Sequence, residues 1–214
     1  MIDLHTHTLF SDGVLVPAEH LRRFEVMGYE AVAITDHADS SNLDFIIPRI
    51  VQAAADLNPC SKTRLIPGIE LTHIPPELMA KLTARARQLG ALLVVAHDET
   101  PVEPVIPGSN RAALEAGVDL LAHPGFITEE DARLAAQKGI FLELSGRKGH
   151  CLTNGHVVRM ARAAGALLAV NADAHEPGDF MTAQRAECVA LGAGLSVAEY
   201  AQLRSNMAGL VARL

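Results

Sequence analysis

Seven short apolar runs punctuate the chain: MIDLHTH, AVAITDH, RLIPGIE, LLVVAH, DLLAH, IFLELS and LLAVNADAH. Each is nearly continuous in apolar residues rather than alternating, as in parallel strands covered on both faces. Between them lie segments with helical spacing: PAEHLRRFEVMG, FIIPRIVQAAADL, PELMAKLTARARQLG, SNRAALEAG, TEEDARLAAQKG and TNGHVVRMARAAG. Pro17 and Pro76 fall in first turns, and Ser109, Thr128 and Thr153 stand at helix starts. Gly28, Gly90, Gly117, Gly139 and Gly165 supply stops. Residues 182–214 read as two further helices. Seven βα units with no linker or repeat predict one domain over residues 1–214, an α/β barrel of (β/α)7 type. An open doubly wound sheet is the alternative, but GxGxxG and GxxxxGK[ST] are both absent.

The ends of the runs carry the chemistry. The closing polar residue is His7, His37, Glu70, His97, His123, Glu143 or His175, at successive gaps of 30, 33, 27, 26, 20 and 32 residues. Each gap is about one βα unit. In a parallel barrel these ends converge on one mouth, where active sites are built. A single histidine there means little; the joint pattern predicts a metal centre. Parity agrees. His5 and His7 are two apart and share a strand face, as do Asp173 and His175. The two doublets become neighbours once a barrel closes. Glu70 can bridge two cations through its two oxygens. Imidazole and carboxylate without thiolate suit Zn, Mn or Fe and do not choose among them.

Composition narrows the partners. The formal net charge is −7 and no Lys/Arg run is present, which argues against nucleic-acid binding through a basic stripe. Apolar stretches are far too short to span a bilayer, and the N-terminus lacks the pattern of a signal peptide. Cys60, Cys151 and Cys188 are odd in number and widely spaced. Free thiols in a cytoplasmic setting are therefore expected. Nothing in the sequence excludes a homo-oligomer.

The ordered set HTHTLFSDG, ITDHA, GIE, AH, AHPG and NADAH closely resembles the polymerase and histidinol phosphatase (PHP) family, over essentially the whole chain. The resemblance implies a distorted (β/α)7 barrel with two to three divalent ions. It implies one ion at His5, His7, Glu70 and Asp173, a second at Glu70, His97 and His123, and a third at Asp12, His37 and His175. Asp12 stands where some members have His, which bears on metal preference at the third position. His73 rivals His97 for the second position. It lies three residues beyond Glu70, which turns it to the opposite face if the strand continues, so His97 is preferred.

Beyond the ligands, Arg147 and Lys148 sit in a Gly-flanked loop after the sixth strand, placed to bind phosphate; the bland alternative is a solvated basic loop. Arg matches phosphate oxygens with bidentate geometry. His150 is either a substrate contact or an ordinary loop residue. Glu143 is expected to orient a ligand imidazole or water. Residues 97–110 carry three prolines and cover the site as an ordered loop, with Asp98, Glu99 and Glu103 unassigned. His20 and His156 fall in helices as surface or packing residues.

The function expected is metal-dependent hydrolysis of a small phosphomonoester, histidinol phosphate or a nucleotide being candidates, by a hydroxide formed from metal-bound water whose pKa falls to roughly 7. Asp12, His175 or a metal-bound water protonates the leaving group. Two alternatives stand beside it. One is an amidohydrolase-like C–N hydrolase, although such barrels usually place Lys at a strand end and none ends so here. The other is a non-catalytic metal-binding domain, although no ligand position is replaced by an apolar residue.

Overall fold

The computed structural model describes residues 1–214. Its strands are β1 (Ile2–Asp3), β2 (Ala31–Ile34), β3 (His37–Ala38), β4 (Arg64–Leu71), β5 (Leu93–His97), β6 (Leu120–Ala122), β7 (Phe141–Ser145) and β8 (Leu167–Asn171). All ladders are parallel. The path runs β1-β2-β4-β5-β6-β7-β8, with β3 a short addition beside β4. Chain order and spatial order coincide, whereas a doubly wound sheet reverses partway. The bridge Thr6–Ala174 brings the first and last strands together. The result is the expected TIM-like α/β barrel, with AVAITDH split into β2 and β3.

The helices are α1 (Pro17–Val26), α2 (Leu43–Leu57), α3 (Pro76–Gln88), α4 (Ser109–Ala116), α5 (Glu129–Lys138), α6 (Asn154–Ala164), α7 (Ala183–Gly192) and α8 (Val197–Val211). Thr128 caps α5 by accepting the Asp131 N–H at 3.1 Å. Thr153 precedes α6 without a capping bond, and Ser109 is already inside α4. The core is built from β2, β5, β6 and β7, all fully buried, and the helix faces around them. No helix is long and apolar enough to cross a membrane. The three cysteines are unpaired and exposed.

Two features of the barrel place the site. First, side chains complete the seam where β1 and β8 meet. Asn171 Oδ1 accepts the Leu4 N–H at 2.9 Å, and Asp3 Oδ2 accepts the Ala172 N–H at 3.1 Å. Burial pushes the Asp3 carboxyl up to about 8 despite the His5 and Ala172 N–H groups that donate to it. Second, strands end earlier than the apolar runs suggest. His123, Asp173 and His175 lie on the connections just beyond β6 and β8. His123 and Asp173 hold φ values of +30° and +53°. Such values are uncommon outside glycine and persist where the surroundings over-determine them. Strand parity therefore does not explain why Asp173 and His175 meet; the turn geometry does.

Replacing Asn171 by Ala leaves the buried Leu4 N–H unpaired and should lower stability by on the order of 2 kcal/mol. Urea unfolding monitored by circular dichroism measures it, with the exposed Gln52→Ala change as the unaffected control.

Candidate metal centre

Glu70 stands at the centre, fully buried. Its Oε1 lies 3.1 Å from His5 Nε2 and 3.9 Å from His123 Nε2. Its Oε2 lies 2.7 Å from His37 Nδ1 and 3.6 Å from His7 Nε2. β3 and β4 pair His37 with Glu70 in register, which is why the second and third runs deliver these two side chains together. Asp173 reaches in from the seam, with Oδ1 3.3 Å from His7 Nε2 and 3.6 Å from His5 Nε2.

A separate group forms nearer solvent. Asp12 Oδ1 lies 3.6 Å from His37 Nε2 and Oδ2 lies 3.2 Å from His175 Nε2. The rings of His7 and His175 stack with centroids 4.1 Å apart. His7, Asp12, His37 and His175 thus converge, as do His5, His7 and Asp173. A third group joins His123, His150 and Asp173, and a fourth joins His73, His97 and Glu103. His97 Nε2 faces Glu103 Oε2 at 3.2 Å, and His73 Nε2 faces the same oxygen at the same distance. His97 and His73 thus stand together. β4 stops at Leu71, and His73 takes a left-handed φ of +52°, so strand alternation does not reach it.

The residues around this cluster explain its shape. Glu143 Oε2 accepts from His5 Nδ1 at 2.8 Å, which turns Nε2 of that ring toward Glu70 and Asp173. His20, a packing residue, contacts Thr6 Oγ1 at 2.8 Å and steadies the segment between His5 and His7. Asp36 was not anticipated from sequence. It accepts from the Thr8 N–H and hydroxyl and from the Ser11 hydroxyl, fixing the loop that carries Asp12. Gly13 belongs to the same loop: a Cβ there would sit 2.5 Å from the His7 carbonyl oxygen. The signal for Asp36 was present in ITDH, directly beside a candidate ligand. His156, on α6, contacts the Ile127 carbonyl at 2.7 Å, away from this group.

Above the cluster is a cleft of about 250 Å³ lined entirely by polar residues, including Asp12, His37, His97, Arg147, Asp173 and His175. Arg147 Nη1 lies 2.6 Å from His175 Nδ1 and donates to the Asp173 carbonyl at 3.1 Å. Lys148 is exposed and lines an adjoining recess with Arg147, Asp12 and His175. His150 is buried, stacked on His123 at 4.1 Å, so it is part of the cluster rather than a free loop residue.

The charge distribution is that of a cation site. Burial opposes charge on Glu70, yet His5 and His37 outweigh it and hold the carboxyl well below its usual range. Asp173 is likewise depressed, burial being overcome by His5 and His7. Burial lowers His7 to about 3 and takes His123 well below the usual imidazole value. The centre therefore keeps anionic carboxylates beside His7 and His123 as neutral imidazoles, while Glu70 and Asp12 raise His37 against the effect of its burial. His5 Nε2 and both His7 ring nitrogens are buried with no hydrogen-bond partner. Leaving such atoms unmatched is costly, and divalent ions match this donor set.

A parallel barrel with imidazoles and carboxylates gathered at its C-terminal mouth defines the class of protein. The PHP domain family matches residues 3–176, and the chain belongs to that family. It is 46% identical over 196 residues to an uncharacterized protein of Methanocaldococcus jannaschii, covering 91% of this chain and 90% of that one. It is 24% identical over 193 residues to the DNA polymerase/3'-5' exonuclease PolX of Bacillus subtilis, covering 81% of this chain but 34% of that one. Among solved structures, its fold is similar to histidinol phosphate phosphatase from Lactococcus lactis complexed with zinc, L-histidinol and phosphate. That match has a TM-score of 0.61 and 18% identity, over 91% of this chain and 94% of the other.

His5 behaves oppositely to His7 and His123. Burial opposes its charge, but Glu70, Glu143 and Asp173 raise it well above the usual value. Ion binding must displace that proton. Adding Zn²⁺ to chelator-treated protein at neutral pH should therefore release protons, measured with an indicator dye, and affinity should fall as pH falls.

Proposed function

We propose that the protein is a metal-dependent phosphoesterase that hydrolyses a small phosphomonoester. The observation that carries this reading is Arg147, a cation held at the wall of an all-polar cleft beside a carboxylate-rich cluster. A guanidinium in that position has a use if an anion enters the cleft. Family membership supports the hydrolytic class. The solved histidinol phosphate phosphatase, which holds zinc and phosphate, supports the substrate type by likeness of fold.

The residues that would hold the ions are His5, His7, Glu70 and Asp173; Glu70, His97 and His123; and Asp12, His37 and His175. The ions, when bound, would lower the pKa of a water and offset phosphate charge. This chain's residues do the rest. Arg147 binds and orients the phosphoryl oxygens. Lys148 adds positive charge at the rim, and His150 lies against the inner wall. Water adds to phosphorus as the ester P–O bond breaks, and the departing alcohol takes a proton. Asp12 is a poor donor: burial raises its pKa, but the His175 contact and the imidazoles of His37 and His7 hold it below the usual carboxylate range. His175, 3.2 Å away, is the better placed donor. With an ion at Asp12, His37 and His175, that role passes to solvent water.

Histidinol phosphate and a mononucleotide are the substrates proposed for testing. The net charge of −7 and the small cleft favour them over a nucleic-acid polymer. A phosphate-release panel containing both, oligonucleotides and amide substrates, each with and without Mn²⁺, Zn²⁺ or Fe²⁺, tests the reading. Metal-dependent release from a monoester is expected; cleavage of amides alone, or of nothing, rejects it. Arg147→Ala should keep its metal content and lose on the order of 2 kcal/mol in kcat/KM, roughly 30-fold. Lys148→Ala should lose less, because the side chain lies outside the main cleft.

A further inference from the structure

The loop between β5 and α4 is built to hold one acid at the mouth. Glu99 Oε1 accepts the Gly108 and Asn110 N–H groups at 2.8 and 3.1 Å. Asn110 Nδ2 donates to the Pro124 carbonyl at 3.0 Å. Thr100 Oγ1 contacts His150 Nδ1 at 2.8 Å. Gly125 passes so close beneath that a Cβ would lie 1.8 Å from the Glu99 carbonyl oxygen. The loop is therefore fastened at both ends, and Glu103 is its only acid that lines the cleft.

Glu103 meets three imidazoles. Its Oε2 lies 3.2 Å from both His73 Nε2 and His97 Nε2, and its Oε1 lies 3.4 Å from His150 Nε2. His73 and His97 are stacked at 5.0 Å. One carboxylate oxygen thus faces two ring nitrogens at equal distance, and imidazole with carboxylate is a donor set suited to a divalent ion. A carboxylate in a cleft proposed to take phosphate also repels the substrate unless something cationic lies between. One divalent ion removes that repulsion, and the ligand atoms of His73, His97 and Glu103 already lie within 4.8 Å of one another.

We propose that His73, His97 and Glu103 form a further divalent-cation position at the rim of the cleft, with Glu103 delivered by the fastened loop and His97 engaged through Nε2, which leaves its buried, unpartnered Nδ1 for the second position as a bridging imidazolate. The ion there faces the substrate and turns the acidic rim into a phosphate-attracting one. Its role toward substrate rests on the phosphoesterase reading above; its existence does not.

The test counts ions without using activity. Chelator-treated protein is titrated with Co²⁺ and then Zn²⁺, read by the visible spectrum and by equilibrium dialysis with elemental analysis. His73→Ala and Glu103→Gln are compared with the parent, with His7→Ala as the inner-cluster control. His73→Ala and Glu103→Gln should each lose one equivalent, or bind it about tenfold or more weakly, while keeping the equivalents that His7→Ala loses. Stoichiometry and affinities equal to the parent in both variants would overturn the proposal and leave Glu103 as an ordinary ion-pair partner. A parent that binds no ion would overturn it together with the metal-dependent reading. Normal ion counts with no phosphate release would reject that reading alone.

Discussion

A single buried carboxylate organises this molecule. Glu70 has no exposure to water, yet four imidazoles surround its two oxygens at 2.7 to 3.9 Å. An isolated carboxylate so placed would be driven to its neutral form. Here the surrounding ring nitrogens keep it ionised. The imidazoles come from the segment after β1, from β3 and from the turn after β6, so the charge of one residue on β4 ties together distant parts of the barrel. The same arrangement of buried carboxylates and ring nitrogens makes the centre receptive to cations.

Holding that arrangement requires the two ends of the sheet to meet. The first strand is only two residues long, and side chains of Asn171 and Asp3 take over the pairing that a longer strand would provide. The segment beyond the short strand is thereby free to project His5 and His7 inward while the Thr6–Ala174 bridge holds its backbone. Asp36 and Gly13 then shape the following loop so that Asp12 returns over the same mouth. Stability at the seam and geometry at the site are one constraint.

Polarity changes in order from the floor of the cleft outward. The floor holds buried carboxylates and imidazoles. The wall holds Arg147 against His175, and the rim holds Lys148 on one side and Glu103 on the other. A contact between Arg147 Nη1 and His175 Nδ1 uses the lone pair of that nitrogen. The other tautomer places Nδ1–H where it can donate to the Asp173 carbonyl at 3.1 Å.

Much of this was legible in the chain. The seven apolar runs and glycine-terminated helices specified a parallel barrel, because continuous burial on both strand faces leaves a signature in composition. The residues closing each run located the mouth, since βα spacing alone brings them to one end. His5 and His7 both turn toward Asp173, although β1 ends at Asp3 and strand parity does not reach them. What parity could not supply was the behaviour of residues just past the strands. Left-handed turns at His73, His123 and Asp173 redirect side chains in ways that no alternation rule describes. Glu103, Asp36 and His150 acquire their places only from tertiary contacts, because a loop has no period and its path is set by what it packs against. The sequence by itself determined the barrel and most of the groups at its mouth. The folded structure decided which of those groups face one another, because that depends on the closure of the sheet and the course of its loops.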